Sequence, residues 1–301
     1  MGQERYNHLG DNASEIGDGL PYLNLGTIST AKKISGGYLH YCAILSNDDL
    51  KCWGYNAHGQ LGLGDNVHRG RNVGDMGDNL QVNPIGKVKD VAAGAFHTCV
   101  ITLDDEVKCW GYNTYGELGQ GNTTRIGNTE AAEITSGFPA PINLDDTRGL
   151  IPKKVIAGAY ITCVIFTNDK VKCLGLNSRI SSLLGHLGNE VSDMGDNLPF
   201  LDFGSFDGAE EKVQRVSTGP NGSHICFLLT SNRVKCLGNN SFGQVGQGDT
   251  QVWGDIASEK NDGLHYVDLG TGRTAVDVAA GNTHSCAILD NDLLKLSLIH
   301  I

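Results

Sequence analysis

Nine cysteines and a repeated histidine are the residues of this chain whose types and spacing offer chemistry. Cys42, Cys99, Cys163, Cys226 and Cys286 stand 57, 64, 63 and 60 residues apart. Each of the first four is followed ten residues later by a second: Cys52, Cys109, Cys173 and Cys236. Thiols so placed can close disulfides, stay as buried thiols or hold a metal. Zinc sites use cysteines about two to four residues apart, and pairs spread around a repeat structure do not converge. The spacing therefore favours four disulfides, each closing a short loop and contributing about 2–3 kcal/mol. Such bonds belong to oxidising compartments, so the expected location is extracellular or the secretory pathway, with cytoplasm or nucleus as the alternative if the thiols are free. His40, His97, His224 and His284 stand two residues before their cysteines. A group that recurs in four of the five repeats reads as structural, a buried imidazole bonded to a neighbouring unit, because a site is normally built once.

Other candidates are weaker. Asp75, Asp78, Asp193 and Asp196 lie in DMGDN-type loops. Clustered carboxylates suit calcium, but the spacing is not that of an EF-hand and the same residues are turn formers. Asn12, Asn122, Asn221 and Asn239 head Asn-X-Ser/Thr sequons for N-glycosylation. No Ser/His/Asp set, phosphate loop or paired carboxylates stand out. No catalytic, metal or cofactor residue is expected.

The elements behind these residues are hairpins. In HTCVITLDDEVKCWG, Cys99–Thr102 and Val107–Trp110 are β-branched and apolar. The sixth residue after each leading cysteine is Asp48, Asp105, Asp169, Asn232 or Asp292. Asp and Asn tolerate positive φ, as the last position of a three-residue hairpin loop requires. That loop sets Ile101 opposite Val107 and Cys99 opposite Cys109, at a non-hydrogen-bonded site where Cα atoms approach to about 4.5 Å, close enough for a disulfide. Ile44, Leu50, Ile165, Val171, Leu228 and Val234 share that inner face. Lys51, Lys108, Lys172 and Lys235 lie on the other, and their stems are expected to snorkel to the edge of a neighbouring unit.

The chain has 41 Gly in 301 residues, and its net charge is −11. The glycine marks many turns between short strands. The acidity and the absence of a basic tract speak against nucleic acid as a partner, and no apolar run spans a membrane. A second block, GDMGDNLQVNPIG in one copy, and a third, WGYNAHGQLGLG, recur between the hairpins. A lone hairpin is unstable. Radial stacking of about five repeats near 60 residues each predicts an all-β propeller of four-stranded blades. Gly37, Gly94, Gly158, Gly219 and Gly281, just before the hairpins, suit close packing near the axis. Residues 1–295 are assigned to this array. Residues 296–301, LSLIHI, fit no repeat: they read as a translated sequencing adapter, with Leu296 where a partner for Cys286 is due. The array is expected to be cut at both ends.

The pattern AAGxxHTC…DDxVxCWGYNxxGQLGxG resembles the repeats of the regulator of chromosome condensation family. The resemblance implies a seven-bladed propeller, of which about five repeats are present. Ile161 in place of the histidine, and Leu174 and Leu237 in place of tryptophan, depart from the pattern. The function expected is a non-enzymatic, protein-binding scaffold, secreted or facing the extracellular side and monomeric at full length. The family's name-giving member implies the alternative, guanine-nucleotide exchange on a small GTPase in nucleus or cytosol.

Overall fold

In a computed structural model of the chain, residues 13–27, 30–128, 139–144, 149–176, 187–254 and 256–297 are described, apart from 257, 258 and 260. They form five antiparallel three-stranded blades. The first comprises β1 (Ala31–Gly36), β2 (His40–Leu45) and β3 (Leu50–Gly54); the second, β4 (Val88–Ala93), β5 (His97–Thr102) and β6 (Val107–Gly111). The third comprises β7 (Pro152–Ala157), β8 (Ile161–Phe166) and β9 (Val171–Gly175). A two-stranded ribbon follows, β10 (Ser205–Phe206) with β11 (Ala209–Glu210). The fourth blade is β12 (Val213–Thr218), β13 (His224–Leu229) and β14 (Val234–Gly238); the fifth is β15 (Ala275–Ala280), β16 (Ser285–Leu289) and β17 (Leu294–Ser297). The inner strands β1, β4, β7, β12 and β15 are neighbours in that order, and the first four border a shared channel.

The hairpin register is the one the loop residue dictates. Cys99 faces Cys109 and Ile101 faces Val107, with equivalent pairs in the other blades. Asp48, Asp105, Asp169, Asn232 and Asp292 all have φ between 61° and 69°. This left-handed step also turns a carbonyl toward the next blade. Val88 N donates to Asp48 O (3.0 Å), Val213 N to Asp169 O (2.8 Å) and Ala275 N to Asn232 O (2.8 Å). The side chains of these loop residues pair back to the bulge of their own inner strand: Asp48 with Lys32, Asp105 with Lys89, Asp169 with Lys153. Where the loop residue is Asn232, its partner is Gln214.

Two expectations are corrected. The outer fourth strand is not a continuous ladder. In the first blade the backbone of the returning chain pairs with only the two ends of the third strand: Gly54 exchanges hydrogen bonds with Arg69 (2.8 and 3.1 Å), and Asn83 N donates to Leu50 O (2.8 Å). Between these ends the DMGDN block folds into a 3-10 turn, Gly77–Asn79, closed by Leu80 N on Gly77 O, and its Gly77 N donates to Asn24 O of the entering loop rather than to the third strand. The other correction concerns the lysines. Lys51, Lys172 and Lys235 are buried rather than snorkelling. Lys51 Nζ donates to Leu25 O and Gly77 O, Lys172 Nζ to Leu144 O and Gly195 O, and Lys235 Nζ to Phe203 O, at 2.8–3.2 Å. In the first two, each cation ties the loop entering its blade to the turn leaving it. Lys108 alone stays half-exposed, paired with Glu106.

Candidate binding face

The turns joining first and second strands, and the loops leaving the third, lie on one face. Gly37 lets two blades approach there: a Cβ on it would stand 2.3 Å from Gly94 O. Tyr38 N donates to that same carbonyl (3.2 Å). The neighbouring ring is thereby fixed. Tyr38 lies 5.9 Å from Phe96, His58 lies 5.1 Å from Phe96 and 5.2 Å from Tyr112, and Tyr160 lies 5.9 Å from Tyr112 and 5.2 Å from Tyr115. Tyr55 stacks on His68 at 4.7 Å, and the Arg125 guanidinium lies 4.8 Å over Tyr112. The result is a row of half-exposed rings across three blades. The repeat pattern in the sequence did not single these residues out. Their signal was the variable pair after each inner glycine, aromatic in Tyr38, Phe96 and Tyr160. Blade four has Pro220-Asn221 there and blade five Asn282.

Buried asparagines shape the loops beneath the row. Asn56 Oδ1 accepts from Leu61 N, while its Nδ2 donates to Asp65 O and Val67 O. Asn113 and Asn240 repeat this.

The histidines sit under the same face as links between blades. Thr98 Oγ1 donates to Gln60 O (2.8 Å), so His40 Nε2 is the donor to Thr98 Oγ1 (2.8 Å). His97–Thr162–Glu117 O and His224–Ser285–Gln244 O repeat the relay in the next pairs. Burial pushes these imidazoles down, His40 to about 3 and His97 and His224 to about 4; the His97 charge adds to the effect at His40. They are neutral links. His284 departs from the expectation of a buried imidazole: it is exposed, with no blade after it in the described chain. Between blades three and four, both members of the relay change. Ile161 replaces the histidine and Ile225 the hydroxyl residue, and both lie in one apolar cluster.

Cys42–Cys52, Cys99–Cys109, Cys163–Cys173 and Cys226–Cys236 are disulfide-bonded with Cα atoms 4.1 Å apart, and Cys286 is free. The loop aspartates hold backbone: Asp75 Oδ2 accepts from Arg71 N and Asn72 N, Asp78 Oδ1 from Thr27 N, and Asp193 Oδ2 from Glu190 N. Asp196 lies in the 3-10 turn Gly195–Asn197. Of the sequons, Asn122 and Asn221 are exposed, Asn239 is half-buried with Oδ1 accepting from Ser241 N and Gln244 Nε2, and Asn12 lies outside the described residues. Glu117 is buried and pushed up to about 7, its Oε2 accepting from Tyr115 N. Among the described residues no helix is long and apolar enough to cross a membrane.

Stacked three-stranded blades with repeated inter-blade links define a β-propeller repeat protein. A family model described as regulator of chromosome condensation (RCC1) repeat matches residues 31–60, 88–117 and 213–244, and a second with the same description matches 52–101. These segments carry RCC1 repeats. It is 35% identical over 238 residues to the ultraviolet-B receptor UVR8 of Arabidopsis thaliana, 79% of this chain and 48% of that protein. It is 25% identical over 267 residues to Ras guanine nucleotide exchange factor C of Dictyostelium discoideum, 88% of this chain and 16% of that one. The chain thus spans about half of the first relative and a small part of the second. Among solved structures, human WBSCR16 matches with TM-score 0.62 at 17% identity, covering 91% of this chain and 64% of that one. Yeast RCC1 (Prp20), solved bound to Kap60, matches with TM-score 0.61 at 16% identity, covering 89% and 56%. These two likenesses show the fold.

Proposed function

We propose that the chain is a non-enzymatic, protein-binding scaffold of the extracellular space or secretory pathway, and that its partner docks on the aromatic face. The observation that carries this is the ring row from Tyr38 to Tyr115, held in place by inter-blade glycine contacts. Rigid aromatic rings supply contact area at low entropic cost and dominate interface energetics. Buried, disulfide-bonded cysteine pairs support the oxidising compartment. The test uses immobilised protein incubated with extracellular fluid. Cross-linked partners should be retained by the wild type and lost with Tyr38→Ser/Tyr112→Ser/Tyr160→Ser; identical capture by both retires the aromatic face. A free-thiol count under denaturing, non-reducing conditions should find the single thiol of Cys286. Nine free thiols would end the extracellular reading.

A second reading, exchange on a small GTPase, is favoured by the likeness to Ras guanine nucleotide exchange factor C. Accelerated nucleotide release from a Ras-class GTPase, unaffected by the triple variant, would replace the first reading with it.

A further inference from the structure

Each inner strand carries a bulge, and the residue just after it meets its neighbours around the channel: Lys33, Asp90, Lys154, Arg215 and Asp277 in blade order. The arrangement obeys a rule, in which the cation of one blade meets the carboxylate of the next. Lys33 pairs with Asp90, and Arg215 pairs with Asp277 at 2.7 Å. Lys154 breaks the rule, because the position ahead of it holds Arg215. Both nearby carboxylates already have partners, although the Asp277 charge also reaches Lys154. Asp90 already accepts from Lys33, Val91 N and Val155 N (3.0 Å), and Asp277 from Arg215 and Val278 N (2.7 Å). Among the described residues Lys154 has neither an ion pair nor a side-chain hydrogen bond.

The place is also hollow. A cavity of about 260 Å³ in the channel is lined by Lys33, Lys154, Ser35, Ser217 and Thr218 beside the apolar Val91 and Val216. The amine of Lys154 feels this position: burial, and then the Arg215 charge, hold it below the usual lysine range, and the Asp277 carboxylate offsets them only in part. Lys154 borders this space and Arg215 holds the equivalent position on the next blade, in a protein whose net charge is −11.

We propose that the channel wall between blades three and four takes an anion, phosphate or carboxylate, between Lys154 and Arg215. The anion supplies the negative charge that Asp90 and Asp277 supply at the other interfaces. Phosphate offers acceptors to both cations at once, and a partner's carboxylate entering the channel would do the same.

Thermal unfolding with sodium phosphate against sodium chloride of equal ionic strength tests this. Phosphate should raise Tm of the wild type by about 2 °C or more at saturation and should leave Lys154→Gln with at most the small general stabilisation that excluded anions give any protein. Lys154→Glu, which restores an acid–base pair with Arg215, should be as stable without phosphate as the saturated wild type. Calorimetry with a hexa-aspartate peptide separates the sources. Peptide binding without a phosphate response, lost in Lys154→Gln, assigns the site to a partner's carboxylates; a phosphate response alone assigns it to a free anion. Equal responses in wild type and Lys154→Gln, or no response to either probe, overturn the proposal.

Discussion

The buried imidazoles make the blade contacts sensitive to acid. His40, His97 and His224 have folded values of about 3 to 4, against 6.5 for the unfolded chain. Between these limits the unfolded chain binds protons that the folded one refuses, so stability rises with pH in that window. It is whole above pH 6.5 and falls as pH drops toward 4, by up to about 1.4 kcal/mol per pH unit for each histidine. Urea unfolding at pH 7.5 and 5.5 should show this loss, and the loss should shrink in His97→Ile/Thr162→Ile, which copies the Ile161–Ile225 interface. The single variant His97→Ile, which leaves Thr162 short of a partner, should cost about 1–3 kcal/mol at neutral pH. A double-mutant cycle that finds the two changes additive would deny that they act as one unit. The loop aspartates act through their backbone. Asp105 sits at φ 65°, so Asp105→Ala should cost about 1–2 kcal/mol and Asp105→Gly less. Its exposed pairing with Lys89 adds little.

Within a blade, the hairpin aligns the cysteines and the core then hides them. The bonded pairs are at most 2% exposed. The folded protein should therefore resist reductant, and Cys99→Ser/Cys109→Ser should lower stability by about 2–3 kcal/mol, read as a shift in the urea midpoint. The fifth blade shows what the pattern is for. Cys286 faces Leu296, and Ser285 faces Ser297 where Thr98 faces Trp110. Trp110 Nε1 donates to Gln60 O, whereas Ser297 Oγ reaches Gly243 O and leaves a cavity of about 470 Å³ between blades four and five. Leu296→Cys should form a disulfide with Cys286, seen as loss of the free thiol in a denatured, non-reduced sample. Ser297→Trp should raise Tm by filling the void.

Across the molecule, the blades are joined by three kinds of link, each used at several steps: left-handed loop carbonyls, imidazole relays and paired bulge charges. The interface of blades three and four differs in both its relay and its charges, carrying Ile161–Ile225 and Lys154–Arg215. The aromatic row also ends at blade three. The face and the channel are thus not uniform around the axis, and a partner docked on the rings is expected to sit over blades one to three. Substituting Phe242, exposed on blade four, should leave partner capture unchanged where Phe96→Ala reduces it.

The hairpin positions, the positive φ of Asp48 and its equivalents and the alignment of Cys99 with Cys109 follow from the amino-acid sequence, because a three-residue loop fixes register within about fifteen residues of chain. The close approach at Gly37 follows likewise from its recurrence. What needed tertiary structure lies between residues far apart in the chain: some sixty positions for the hydroxyl partner of each histidine and the meeting of Lys154 with Arg215, and 23 to 32 for the carbonyls that cap Lys51, Lys172 and Lys235. The 3-10 turn in the fourth-strand position is of the same kind, since its composition suited a turn while the repeat length suited a strand. The ring row was hidden for a related reason: Tyr38, Phe96 and Tyr160 become neighbours only when stacking brings their blades together, and periodicity along one chain carries no measure of that distance.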